Sequence, residues 1–229
     1  MIDNIEKLNE DIIKCSKCPR LVKFRVEVSK RKNRFYGEEY WSRPVPGYGN
    51  ISGKILILGL APAATGGNRT GRIFTGDKSA KFLVKCLYLA GFTNQPTSER
   101  KDDGLIYYDS YVTAVLKCVP PNDRPLNSEL DNCREYLINE ISLMKNLRAI
   151  LVLGRIAFES LIKALKELGY NTKGMKFVHG KYCDVGNIRV FCSYHPSPRN
   201  VNVGRINEEM MLSILNEIKN FVYKESQDK

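Results

Sequence analysis

Short unbroken apolar runs alternate along this chain with longer stretches in which apolar residues recur every three to four positions. "KILILGL" (Lys54–Leu60) has no polar face and reads as a strand buried on both sides. Ser79–Phe92 reads as a helix, with Phe82, Leu83, Cys86, Leu87 and Ala90 on one stripe and Gly91 as its stop. "YVTAVLKC" (Tyr111–Cys118) is β-branched and predicts a second strand. Pro120, Pro121 and Pro125 stiffen the loop that follows, and Asn127 or Ser128 is expected to cap a helix to about Lys145. "AILVLG" predicts another buried strand, and Arg155–Leu168 a helix ending at Gly169. Shorter strands are expected around "KYCDV" and "RVFCSYH", then an amphipathic helix from about Arg205 to Tyr223 and a frayed tail, "KESQDK". No internal repeat or low-complexity linker interrupts the pattern. Such alternation predicts an α/β fold in three layers, α/β/α, around a mostly parallel sheet of four to five strands, with residues 1–229 forming a single domain.

Ligands of such sheets sit at the carboxyl ends of the strands. Three unusual loops fall there: "GLAPAATGGNRTGRIFTGD" (Gly59–Asp77), "KCVPPNDRP" (Lys117–Pro125) and "YHPSPRNVNVGR" (Tyr194–Arg205). The first has no GxGxxG fingerprint and no Walker lysine, which argues against a dinucleotide or a triphosphate. Its five glycines and Pro62 can aim backbone N–H groups at a carbonyl or an oxyanion. Phe74 has two readings, a plug for the core and a stacking platform for a planar ligand. Asp77, just before Lys78 and Ser79, reads as a helix N-cap. His195 is one of only two histidines, and Pro196 and Pro198 stiffen the chain beyond it, as a wedge into DNA would require.

Charge narrows the class of ligand. Thirty-six Lys and Arg against 25 Asp and Glu leave a net +11. Part of the excess clusters, in Lys23–Arg34 and in Ser197–Arg205, which points to a polyanion such as nucleic acid. No apolar run approaches the roughly 20 residues of a membrane helix, and the N-terminus is no signal peptide, so a cytoplasmic protein without a membrane partner is expected. Seven cysteines, an odd number without a secretion signal, argue against a disulfide framework. Cys15 and Cys18 form a CxxC pair; Cys118 opens the proline loop and Cys133 follows it. Thiolates at the first spacing can reach one metal centre, although a redox pair or half a zinc site would look the same. Cys86, Cys183 and Cys192 sit in apolar patterns and read as core.

The three loops and the four cysteines together resemble the uracil-DNA glycosylase superfamily, and specifically its type B (family five) iron–sulfur branch of thermophilic archaea and some bacteria. "GLAPAA", "NRTGR", "FTGD" and "HPSPRNVN" carry the resemblance, which spans nearly the whole chain. It implies hydrolysis of the N-glycosidic bond of uracil, and of other deaminated bases such as hypoxanthine, in double- or single-stranded DNA, leaving an abasic site without strand cleavage. The base would be flipped into a pocket. By position, Gly59, Leu60, Ala61, Pro62, Ala63 and Ala64 would line that pocket, Phe74 would stack on the base, and Asn122 and Asp123 would meet its edge. Asp77 would orient or activate water, and His195 would hydrogen-bond the oxygen that gains charge. Ser197, Pro198, Arg199 and Asn200 would enter the DNA. Cys15, Cys18, Cys118 and Cys133 would hold a [4Fe–4S] cluster that ties down the N-terminal extension. The enzyme is expected to act as a monomer at the nucleoid.

Two positions depart from the family pattern. Thr65 stands where histidine is usual after "GLAPAA", and Asp123 stands where the proline loop usually has asparagine. Asp123 can accept from a base edge but cannot donate as an amide does. Two other classes fit parts of the sequence. A non-catalytic damaged-DNA-binding protein would keep the basic loops; a redox enzyme would use the CxxC pair but would not need Phe74, Asp77 and "HPSPR" together.

Overall fold

A computed structural model describes residues 4–33 and 35–223. The expected fraying of 224–229, and Arg34 of the basic cluster, lie outside the described residues. The elements run α1 (Ile5–Lys14), α2 (Pro19–Ser29), β1 (Tyr48–Gly49), β2 (Ile55–Gly59), α3 (Gly67–Thr70), α4 (Lys78–Leu89), β3 (Ser110–Ala114), α5 (Asn127–Leu143), β4 (Ala149–Leu153), α6 (Arg155–Glu167), β5 (Tyr182–Val185), β6 (Ile188–Ser193), α7 (Pro198–Asn202) and α8 (Glu208–Tyr223), with a 3₁₀ turn at Pro121–Asp123.

The sheet order is β1-β3-β2-β4-β6-β5. The four inner strands are parallel, and β1 and β5 close the edges antiparallel. The architecture is the expected three-layer one, with six strands where four to five were predicted. The extra strand, β1, is two residues long, too short to show an alternation in sequence. Residues of β2 alternate between the layers. Ile55 and Ile57 pack with α4 and α8, while Leu56 and Leu58 pack with α5 and α6. Strand β4 does the same through Leu151 on one face and Ile150 and Val152 on the other.

Several boundaries differ from expectation. The strand predicted over Tyr111–Cys118 ends at Ala114, because Val115 and Leu116 turn to bond Gly59 O and Leu60 O beyond the ladder. Neither Asn127 nor Ser128 caps α5; Glu129 reaches back to accept the Leu126 N–H at 2.8 Å instead. The last helix begins at Glu208, and the preceding segment forms the separate short helix α7, capped by Ser197. Helix α1 does carry a helical signal, Ile5, Leu8 and Ile12 on one stripe behind an Asn4 cap, that the sequence reading did not use. Leu8, Ile12 and Leu21 bury with Leu116, Cys133 and Tyr136 in a third cluster, so α1 and α2 are held from the far side of the proline loop.

A buried ion pair supports that loop. Lys117 Nζ donates to both Glu140 oxygens, at 2.9 and 2.7 Å, and to Thr113 Oγ1 at 2.6 Å. Tyr111 and Thr113 also donate to Glu140. Each charge is matched, and either alone would be stranded in the core. Glu140→Ala is expected to destabilise the protein by about 3–5 kcal/mol in urea unfolding, and Lys117→Met with Glu140→Leu to recover most of the loss. A loss below about 1 kcal/mol in Glu140→Ala would mean that the pair behaves like a surface one.

Candidate functional site

The loop after β2 is built around an arginine. Arg72 is 1% exposed. Its Nε donates to Thr75 Oγ1 at 2.8 Å, one terminal nitrogen to Ser98 Oγ at 2.9 Å and Asp103 Oδ2 at 2.8 Å, and the other to Lys101 O at 3.3 Å. Burial alone would raise the Asp103 carboxyl, but the N–H groups of Glu99 and Arg100 and the guanidinium outweigh it and hold it below the usual range. The chain between Arg72 and Thr75 is thereby tied down, and Phe74 is held at φ +47°, a conformation a bulky residue adopts only under such constraint. Its ring lies against the end of β2, where a Cβ on Gly59 would stand 2.7 Å from Phe74 Cζ. The ring thus requires glycine at position 59.

Asp77 caps α4 through Oδ1, which accepts from Ser79 N at 2.8 Å and Ala80 N at 3.0 Å. The cap reading from sequence is correct. Its other oxygen, Oδ2, lies over Gly66, where a Cβ would meet it at 2.2 Å. Desolvation raises the Asp77 carboxyl above its ordinary value; the nearby Asp123 charge adds to the shift, and the helix N–H groups and Arg69 oppose it.

A cavity of about 550 Å³ opens here at the carboxyl edge of the sheet. All three loops line it. Leu60, Ala61, Ala63, Phe74 and Asp77 come from the first, Asn122 and Asp123 from the second, and His195, Ser197, Pro198 and Arg199 from the third. Among the described residues, the N–H groups of Ala61 and Ala63 donate to no protein acceptor. Asn122 and Asp123 are consecutive left-handed residues, at φ +54° and +56°, a strained pair that lifts the tip of the proline loop. The Phe74 and His195 rings are 6.3 Å apart and nearly parallel, at 29°. The His195 ring is partly open to the cavity but has protein around the rest of it, and desolvation lowers its pKa to about 4, so the imidazole is neutral at pH 7.

Other expected residues lie outside the cavity wall. Pro62 is buried against Gly67, and Ala64 begins the turn into α3. Asn200 turns inward, its amide donating to His195 O at 2.9 Å, so it shapes the loop that carries the histidine. Arg124, Ile73 and Ser79 line the cavity without having been singled out in the sequence. Arg124 lay within "PPNDRP" but had no spacing that marked it. Arg72 gave no sign of burial, because an arginine in a glycine-rich loop reads as a surface cation.

The cysteines form a second constellation. Cys15, Cys18, Cys118 and Cys133 line one small recess between α2, α5 and the proline loop. None of the four is in a disulfide. Three accept N–H donors: Cys118 from Arg25 at 3.3 Å, Cys133 from Lys117 N at 3.3 Å and Cys18 from Asn132 at 3.6 Å. Such donors suit sulfur that carries negative charge. Among the described residues, no three His, Cys, Asp or Glu side chains form a group able to hold a metal ion. Arg25 points into this recess, leaving Lys23, Lys30, Arg31 and Lys32 as the exposed members of the basic cluster. Cys86 and Cys192 are buried in the core, as expected. Cys183 is only partly buried, because β5 is an edge strand.

A family model described as the uracil-DNA glycosylase superfamily matches residues 46–219. The chain belongs to the uracil-DNA glycosylase superfamily. It is 43% identical over 204 residues to a type-5 uracil-DNA glycosylase of Pyrobaculum aerophilum, covering 89% of this chain and 87% of the relative. It is 42% identical over 215 residues to a type-5 uracil-DNA glycosylase of Thermus thermophilus, covering 93% and 96%. A type-4 uracil-DNA glycosylase of Pyrobaculum aerophilum is 31% identical over 199 residues, 85% of this chain and 83% of the relative. Among the described residues no helix is long and apolar enough to cross a membrane.

The lowered histidine has a consequence for stability. Below pH 6.5 the unfolded chain binds a proton at His195 that the folded chain refuses until about pH 4. Stability contributed by the neutral ring is therefore complete above pH 6.5 and lost as pH falls through that window, by up to about 1.4 kcal/mol per unit. Urea unfolding from pH 7 to pH 4 should show this slope in the wild type and its absence in His195→Asn.

Proposed function

We propose that this protein excises uracil from DNA by hydrolysing its N-glycosidic bond, leaving an abasic site. The observation that carries the reading is the single cavity in which a constrained aromatic ring, a capped carboxylate and a neutral histidine meet. The base enters flipped from the duplex, and Phe74 stacks on it. The Ala61 and Ala63 N–H groups offer donors to a base carbonyl. As the glycosidic bond breaks, charge gathers on a base oxygen, and neutral His195 donates to it from a ring N–H. Oδ2 of Asp77, not used by the helix cap, accepts from the attacking water and holds it toward the sugar carbon. No lysine is needed for a Schiff base, so the strand is left intact.

Asp123 bears on base choice. Uracil and hypoxanthine both present a ring N–H beside a carbonyl, and a carboxylate accepts from that N–H in either base. Other deaminated bases are therefore included in the proposal. Ser197, Pro198 and Arg199 follow the DNA strand at the cavity mouth, and Asn200 keeps their loop in shape. The chain acts as one domain and as a monomer, at the chromosome where its substrate is.

The four cysteines fit an iron–sulfur cluster better than a zinc ion. The four line one recess, three of their sulfurs accept N–H donors, and a cluster spreads its thiolates over separate irons instead of gathering them on one ion. Cys15, Cys18, Cys118 and Cys133 would hold it, and it would supply a cross-link between α1, α2 and the proline loop. Purified protein should be brown with broad visible absorbance, and Cys118→Ala should cost more stability than Cys86→Ala. Colourless protein with stoichiometric zinc would refute the cluster.

Single-turnover release of uracil from duplex DNA tests the chemistry. Asp77→Asn keeps an acceptor but loses the charge, and should slow release roughly 10- to 1,000-fold with binding nearly intact. His195→Ala should lose as much or more. Because Asp77 is raised, the wild-type rate should climb with pH as its carboxyl ionises, and that limb should vanish in Asp77→Asn. Double Asp77→Asn/Asp123→Asn should lose more than the product of the singles if the carboxylates share the water. Wild-type rates in all these variants would leave Asp77 as a cap only, and no release by the wild type would leave a DNA-binding protein.

A further inference from the structure

A second aromatic surface lies beside the cavity. Tyr194 stands between the end of β6 and His195, and the two rings face opposite layers. His195 meets Phe74, while Tyr194 meets Phe177, which packs with α5 and α6. The Tyr194 ring stacks on His179, with centroids 4.6 Å apart and planes at 26°. A turn over Val178–Lys181, closed by Lys181 N–H to Val178 O at 3.1 Å, presents that histidine. Tyr194 N–H donates to His179 Nδ1 at 3.1 Å, which places the imidazole proton on Nε2 and fixes the ring. Phe177 supports Tyr194 from the protein side, with ring centroids 6.0 Å apart.

Despite these contacts Tyr194 remains 37% exposed and Val178 50% exposed. The guanidinium of exposed Arg155 stands over Phe177 at 5.3 Å, and exposed Lys181 ends the turn. An aromatic ring already immobilised by packing loses little entropy when it stacks again, and cations beside it suit a phosphate backbone. Tyr194 immediately precedes His195, a residue of the cavity wall. Its place next to that wall along the chain, with cations beside it, favours a DNA strand over a protein partner.

We propose that Tyr194, backed by His179, stacks the nucleobase next to the flipped nucleotide on the same DNA strand. The inference rests on the reading of the cavity as a base pocket. It adds a binding subsite on the opposite layer of the sheet from Phe74, and makes affinity depend on the neighbouring base.

The test uses duplexes in which a tetrahydrofuran abasic analogue replaces the target nucleotide and 2-aminopurine occupies either the 5′ or the 3′ neighbour. Binding of wild-type protein should quench the aminopurine at one of the two positions. Tyr194→Ala and Tyr194→Leu should lose the quenching and bind about 5- to 150-fold more weakly. Tyr194→Phe should keep both properties. Leucine preserves apolar contact with Phe177, and thermal melting of each variant separates a fold defect from a lost stack. Wild-type affinity and quenching in Tyr194→Leu would overturn the proposal, as would the absence of quenching at both positions in the wild type. Because the probe has no base to release, wild-type protein that quenches it but frees no uracil would sink the glycosylase reading alone, and protein that frees uracil without Tyr194-dependent quenching would sink this subsite alone.

Discussion

Burying a guanidinium is costly unless its N–H donors all find acceptors. Arg72 places four of its five N–H groups on Thr75, Ser98, Asp103 and Lys101 O, and the demand organises the site. Thr75 lies on the same loop, three residues on, while the other partners lie on the 98–103 segment. Gly76 N–H adds a bond to Ser98 O at 2.7 Å. Two loops far apart in sequence are joined back to back. Between Arg72 and Asp77 the chain has little freedom left, and the left-handed Phe74 and the cap at Asp77 both follow from it.

The result is a pocket prepared before any ligand arrives. Oδ1 of Asp77 is committed to the helix, so the direction of Oδ2 is set by α4 rather than by a free rotamer. His195 is kept neutral by burial, so at pH 7 it can donate a hydrogen bond without adding a positive charge to the cavity. Lys23, Lys30, Arg31 and Lys32 are exposed on α2 and the turn after it, while Arg124 and Arg199 stand at the cavity wall itself.

The N-terminal helices reach the same loop from its other side. Asn68 Nδ2 donates to Arg25 O at 3.0 Å, and Arg25 itself binds Cys118. Trp41 and Ser42 N–H groups bond Arg69 O and Asn68 O, and the Trp41 ring fills the space over Gly71. The cysteine recess, α2 and the loop before Phe74 are one connected set of contacts. A glycine at position 71 is required both by its φ of +76° and by the indole, where a Cβ would lie 2.9 Å away.

What was legible in the sequence was whatever depends on local pattern. Short unbroken runs such as "KILILGL", bounded by a glycine-rich loop, read as inner strands, and the alternation of strands and helices points to a parallel sheet with its loops at one edge. The pattern alone therefore brings the residues of those loops together, and Asp77 reads as a cap from its neighbours alone. Other features were decided by contacts between distant segments. The two-residue strand β1 exists only because β3 offers it an edge, and α5 starts where Glu129 can reach Leu126 N. Gly59 is explained by a ring fifteen residues later in the chain, Asn200 by a carbonyl of its own loop, and Arg72 by a carboxylate thirty-one residues on. Sequence carries the period of burial and the chemistry of each side chain. Which oxygen of Asp77 is left free of the helix cap, whether an arginine faces solvent or the core, and which ring fills which glycine's space depend on how separate segments pack, and only the tertiary structure holds that information.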